Sequence, residues 1–217
     1  VYDSVEALVN VSMPALLPDG RMMTVNLRHM ESKSLLKMTE VINDTMRRMQ
    51  NTNMDEAMFE VSMDNTIQGL KKGKIMQAIY RLIGSKTGKH KVRTLKGKAK
   101  KQYYSIPEKD RLTKKDIEQG TVTISNLGSI HRDQPGMCFL LEIIPPQVTA
   151  IAVNAVRKQP TVVTDKNGND TIAIREILPL TIAFDHKALD YCDVLPFMKR
   201  LDEIFANPSV IHDWKGE

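Results

Sequence analysis

A mixed α/β fold, with a mostly antiparallel or mixed sheet and few helices, is predicted from three observations. Apolar or alternating runs bounded by turn residues recur at 7–16, 22–27, 121–125, "VTAIAVNAV" and 177–184, each of strand length. Apolar positions at three- and four-residue spacing mark a helix after Ser34 and another near the C-terminus. The chain has 217 residues, 41% of them hydrophobic and 26% charged, enough for one sizeable domain spanning 1–217 with its own core.

Pro18-Asp19-Gly20 joins the first two strands as a hairpin turn. Ser34 is placed to cap a helix with Leu35, Met38, Val41, Ile42, Thr45, Met46 and Met49 on one face, ended by "QNTNMD". Residues 54–84 give a patchier helical pattern weakened in the middle by Gly73, and its apolar stripe is expected to be core. The glycine- and lysine-rich "GSKTGKHKVRTLKGKAKK" reads as loop or disorder.

Thr113 with Asp116 resembles a capping arrangement for a short helix stopped by Gly120. The strand at 121–125 then sets Thr121, Thr123 and Ser125 outward, with Val122 and Ile124 inward, and ends at Asn126-Leu127-Gly128. "CFLLEII" and "VTAIAVNAV" are expected as strands around the rigid Pro145-Pro146-Gln147 turn, and Asn167-Gly168 as a hairpin turn. The last strand, 177–184, delivers Asp185-His186. A final helix follows, with Asp193 or Asp190 as its cap, Pro196 in its first turn and Asn207-Pro208 at its end.

The two cysteines, Cys138 and Cys192, fit a reduced cytoplasmic setting better than a disulfide framework. No CxxC, HExxH or Cys/His cluster points to zinc, and no apolar run has the length of a membrane span. The chain starts at Val1, so an upstream segment or targeting peptide is expected to be missing. Residues 71–101 hold 12 Lys and Arg and no acid, whereas the rest of the chain is slightly acidic. This block reads either as a solvated excursion or, across 54–101, as a contact for an anionic surface.

His186 sits where an apolar strand meets a tight connection, so a neutral imidazole fixed there can take a proton from a thiol or hydroxyl. The plainer reading makes His186 a satisfied strand-end residue and Asp190 a helix cap, and His-x-x-x-Asp spacing alone leaves both open. Ser125 is at most a hydroxyl donor to a developing oxyanion, since no G-x-S-x-G elbow surrounds it. A base and a donor without a protein nucleophile imply direct transfer between two bound substrates.

Three stretches in order, "GTVTISNLGSI", "IIPPQVTAIAVNAVRKQPTV" and "LPLTIAFDHKALDYCDVLPFMKRLDEIFANP", resemble the catalytic domain of the 2-oxo acid dehydrogenase acyltransferases, the E2 components. "LPDGRMMTVNLRHMESKSLLKMTEVI" is similar to that family's hairpin and following helix. The resemblance implies a chloramphenicol acetyltransferase-like mixed sheet with flanking helices, working as a homotrimer with sites between subunits. It implies His186 as the base that deprotonates coenzyme A or dihydrolipoamide, Ser125 as the oxyanion donor, and Asp190 as an orienting carboxylate paired with an arginine. The implied substrates are acyl-CoA and a thiol acceptor, with the lipoyl group supplied by another domain or protein and other 2-oxo acid dehydrogenase subunits as partners.

The departures are specific. Tyr191 stands where the family has glycine, which is expected to alter the turn or crowd the channel, and Ile144 replaces a common asparagine. Residues 51–107 are a basic amphipathic insertion relative to the family. Its opening helix, the pairing arginine and any lipoyl or subunit-binding domain are missing from this sequence, as expected for part of a larger protein or for a stand-alone divergent branch. The competing expectation is a non-catalytic E2-like core or scaffold that keeps the trimer.

Overall fold

Pro18-Asp19-Gly20 turns the chain between β1 (Val11–Leu16) and β2 (Met22–Leu27). Gly20 takes φ +81°, and the Leu17 N–H donates to the Arg21 carbonyl at 2.8 Å. A left-handed residue is needed there, and glycine adopts it without a Cβ clash. In this computed structural model, residues 9–86, 93–133, 136–145, 147–212 and Trp214 are described.

Five strands form one mixed sheet in the order β2-β1-β3-β4-β7, with β3 at Val122–Asn126, β4 at Thr149–Val153 and β7 at Leu180–Phe184. β1 runs parallel to β3 and β3 parallel to β4, while β4 and β7 are antiparallel. The expected hairpin around Asn167-Gly168 is present as a separate two-stranded ladder, β5 (Arg157–Thr164) with β6 (Asp170–Ile177).

The chain divides into two compact units: residues 1–14, 26–38 and 119–217, and residues 15–25 and 39–118. In the first, Gly120 and Gly128 are fixed by close approach. A Cβ on Gly120 would lie 2.3 Å from the Asn10 carbonyl oxygen, and one on Gly128 would lie 2.9 Å from Ala155 Cα. No side chain larger than hydrogen fits at either position.

The second unit holds most of α1 (Leu35–Gln50), then α2 (Met54–Lys71), α3 (Ile75–Lys86), α4 (Gly97–Tyr104) and the short α5 (Lys114–Ile117). The long pattern at 54–84 is thus two helices, broken where Gly73 takes φ +75°. The stretch read as loop or disorder, 84–101, ends within α4, and its residues 87–92 lie outside the described residues. Local composition gave no sign of α4, because tertiary contacts make this helix. Tyr103 is buried, and the buried Glu56 carboxylate accepts the Leu95 N–H at 2.5 Å and the Tyr104 hydroxyl at 2.9 Å. Asp116 closes the predicted box with Thr113 and takes two hydrogen bonds from Arg48, at 2.6 and 3.0 Å.

Two expected strands differ from the sequence reading. "CFLLEII" is irregular, because β4 already has β3 and β7 on its two edges and leaves no ladder for it. Phe139 and Leu140 there are 81% and 88% exposed. The run at 177–184 breaks at Leu178-Pro179, where proline has no N–H to give a ladder, so β6 ends before it and β7 begins after it.

Candidate functional site

Ser125 lies one residue from the C-terminal end of β3 and is half-buried. A buried polar network steadies the strand behind it. Thr123 Oγ1 donates to Gln147 Oε1 at 2.7 Å, Gln147 Nε2 donates to Ser12 Oγ at 3.1 Å, and Ser12 Oγ accepts the Gly120 N–H at 2.8 Å. Thr123 is therefore bonded inward and not to solvent, and Gln147, read from sequence as a turn residue, is the centre of that network at 2% exposure. Among the described residues, the Ser125 hydroxyl has no hydrogen-bond partner and remains available to donate.

Beyond Ser125, Asn126 Oδ1 caps α6 (Leu127–Ile130) by accepting the Ser129 N–H at 3.0 Å. A cavity of about 540 Å³ opens at this end, lined among others by Asn126, Gly128, Ser129, Arg132, Asn154 and Glu176. Its wall is anchored by Asn154, which donates to the Pro179 carbonyl at 3.0 Å and accepts the Cys138 N–H at 2.9 Å.

His186 sits in the turn after β7. The Asp185 N–H donates to the Val148 carbonyl at 2.9 Å, and the Asp185 carboxylate accepts the Lys187 N–H at 3.0 Å. His186 Nδ1 lies 3.1 Å from the Leu189 carbonyl oxygen. A carbonyl can only accept, so in the neutral imidazole this contact favours the tautomer with the proton on Nδ1 and the lone pair on Nε2. The side chain is 83% exposed.

Asp190 caps α7 (Tyr191–Ala206) in a box with Asp193, whose Oδ2 accepts the Asp190 N–H at 2.8 Å. Because the cap is Asp190, Pro196 falls in the second turn of α7 and not the first, where it removes one helix hydrogen bond. Asp190 Oδ1 also lies 3.7 Å from His186 Nδ1. Asp190 is thus the helix cap of the plainer reading, and among the described ion pairs its partner is His186, not an arginine. Tyr191 is the first helical residue, has no positive φ and is 71% exposed, so it neither strains the turn nor covers His186 within the chain.

The structure does not bring Ser125 and His186 together within one chain. Ser125 is in register with Ala152, and Ala152 with Thr181, so the β7 residue level with Ser125 lies near the start of that strand. β7 runs antiparallel to β4 and carries His186 off the opposite end of the sheet. Three strand steps and two strand spacings already separate Phe184 from Ser125 by about 14 Å. Direct cooperation of this hydroxyl with this imidazole needs a second copy of the chain.

A mixed sheet ended by an antiparallel last strand, a histidine-bearing turn and a C-terminal helix place the chain in the chloramphenicol acetyltransferase-like fold class. The fold is shared with the solved dihydrolipoamide acetyltransferase of Azotobacter vinelandii, at a TM-score of 0.54 and 19% identity over 95% of this chain and 57% of that one. The cubic core of a pyruvate dehydrogenase multienzyme complex gives a TM-score of 0.50, also at 19% identity and the same two coverages.

Residues 90–212 match the model of the 2-oxoacid dehydrogenases acyltransferase catalytic domain, and the chain belongs to that family. A relative in Mycobacterium tuberculosis, the dihydrolipoyllysine-residue acetyltransferase component of the pyruvate dehydrogenase complex, is 32% identical over 38% of this chain. The corresponding mitochondrial component of Schizosaccharomyces pombe is 32% identical over 51% of it. The dihydrolipoyllysine-residue succinyltransferase component of the Saccharomyces cerevisiae 2-oxoglutarate dehydrogenase complex is 30% identical over 48%. The matched stretch is a minor part of these relatives, from 14% to 22% of their lengths.

Proposed function

We propose that the chain is an acyltransferase core that moves an acyl group between coenzyme A and a thiol such as dihydrolipoamide, working as a homotrimer with sites completed between copies. The observation that carries this reading is the His186 turn: an exposed imidazole whose Nδ1–H is committed to the Leu189 carbonyl, leaving Nε2 free to accept a proton. The Azotobacter protein, in a study of its catalytic mechanism, has a serine, a histidine and an asparagine four residues after the histidine under investigation. This chain has Ser125, His186 and Asp190 in that order, with the same gap between the last two.

In the proposed reaction His186 Nε2 takes the proton of the attacking thiol, and the thiolate adds to the thioester carbonyl. The oxyanion accepts a hydrogen bond from Ser125 of the neighbouring copy. Collapse expels the second thiolate, which takes the proton back from the imidazolium, so one thioester forms as the other breaks and no protein nucleophile is needed. Coenzyme A and the lipoyl thiol are substrates, the lipoyl group arriving from another domain or protein of a 2-oxo acid dehydrogenase complex.

Association of copies is supported by the β5–β6 hairpin. Val162 and Ile172 pair across its outer face while 62% and 79% exposed, an apolar patch unusual on an unaccompanied ladder.

Release of free coenzyme A from acyl-CoA donors in the presence of dihydrolipoamide, followed by chromatography because the total thiol is conserved, and compared between wild type and His186→Ala, tests the reading. A loss on the order of 10²–10⁴ in kcat/KM is expected for removal of a general base. Equal rates would exclude His186 as the base. The scaffold reading is favoured by one feature: among the described ion pairs, Asp190 meets no arginine. Coenzyme A binding without turnover in the wild type would support it.

A further inference from the structure

We propose that the α2–α3 turn and the outer face of α3 form a docking surface for an anionic lipid bilayer, lying on the membrane and not through it. On α3, Ile75, Met76, Ile79 and Tyr80 recur at i, i+1, i+4 and i+5, within about 140° of the helix circumference. All four are exposed, at 57%, 62%, 43% and 68%, as is Leu70 at the end of α2. The sequence expectation that this stripe is core does not hold in the structure. Gly73, at φ +75°, folds the chain back so that the Lys74 N–H reaches the Gly69 carbonyl at 2.9 Å, and the exposed Lys71, Lys72 and Lys74 stand at the head of this apolar face.

The charge decides what covers the face. Residues 71–101 carry 12 basic residues and no acid, which leaves 19 basic against 26 acidic residues in the remainder. Pairing this patch with the same patch of a second copy would set lysine against lysine. An anionic bilayer instead takes the apolar side chains among its acyl chains, the tyrosine at headgroup level and the lysines against its phosphates. No described helix is long and apolar enough to cross a membrane, so the contact is interfacial.

The test is flotation of the full chain with vesicles of equal parts phosphatidylglycerol and phosphatidylcholine, beside pure phosphatidylcholine, at low and high salt. Binding is expected to the anionic vesicles alone and to weaken steeply with salt. Each lysine contributes roughly fivefold, so Lys71→Gln/Lys72→Gln/Lys74→Gln together should weaken binding on the order of 100-fold. Met76→Asp/Ile79→Asp should abolish it while circular dichroism and coenzyme A release stay at wild-type values. Absence of binding at low salt, or equal binding by both variants and wild type, would overturn the proposal. So would a fall in sedimentation mass in the Met76→Asp/Ile79→Asp variant, which would identify a second copy as the occupant.

Discussion

The two ends of the sheet carry the two candidate groups, and they are built on different principles. At the Ser125 end, a capped turn borders a cavity. The buried network through Thr123, Gln147 and Ser12 lies at the starts of β3 and β4, on the His186 side of the sheet, since Thr123 is level with Ala183 of β7. The His186 turn itself is held locally: one turn, one carbonyl and a helix cap orient an imidazole that projects into solvent. On the proposed reading, the first is a receptor without a base and the second a base without a receptor. A site distributed in this way would make association of copies a condition of activity.

The contrast can be broken in order of expected effect. Ser125→Ala should lower kcat about 10²–10³-fold, the usual loss for one oxyanion donor, with no change in melting temperature, since its hydroxyl has no intramolecular partner among the described residues. Unchanged turnover would remove Ser125 from the site.

Gln147→Ala comes next and should act through structure. It leaves the Thr123 hydroxyl and the Gly120 carbonyl without their buried partner and should cost about 2–4 kcal/mol of stability by denaturant titration, with activity falling in proportion to folded fraction. Disruption of the exposed turn that holds His186 should be small by comparison. Asp190→Asn keeps an equally good cap and removes only an exposed charge beside His186, so stability should move by less than about 1 kcal/mol and rate by a few-fold. A large stability loss in Asp190→Asn and none in Gln147→Ala would invert the picture of a buried anchor and a local one.

Much of this was legible in the sequence, and the failures share a cause. "TISNLG" and "FDHKALD" announce strand ends by local rules: alternation, turn residues and a capping aspartate. The capping box of Thr113 with Asp116 and the Asn167-Gly168 hairpin are equally local, and both are present as read. What failed depended on distant partners. α4 exists because Glu56, some 40 residues earlier, holds its two ends. "CFLLEII" has strand composition, but β4, the strand it precedes, is already paired on both edges by β3 and β7. Gln147 looked like a turn residue because its three partners lie on other strands and a loop. The opposite placement of Ser125 and His186 follows from the antiparallel sense of β7 against β4, a pairing that no local pattern encodes.

Complementation between two inactive variants tests the division of the site most directly. His186→Ala and Ser125→Ala chains are each purified, shown to be inactive in coenzyme A release to dihydrolipoamide, then unfolded together and refolded as a mixture. If each site takes its base from one copy and its donor from the next, random assembly restores both groups at about one interface in four, and on the order of a quarter of wild-type activity returns. A mixture as inactive as its components, with mixed assembly verified by mass, would contradict a site shared between copies.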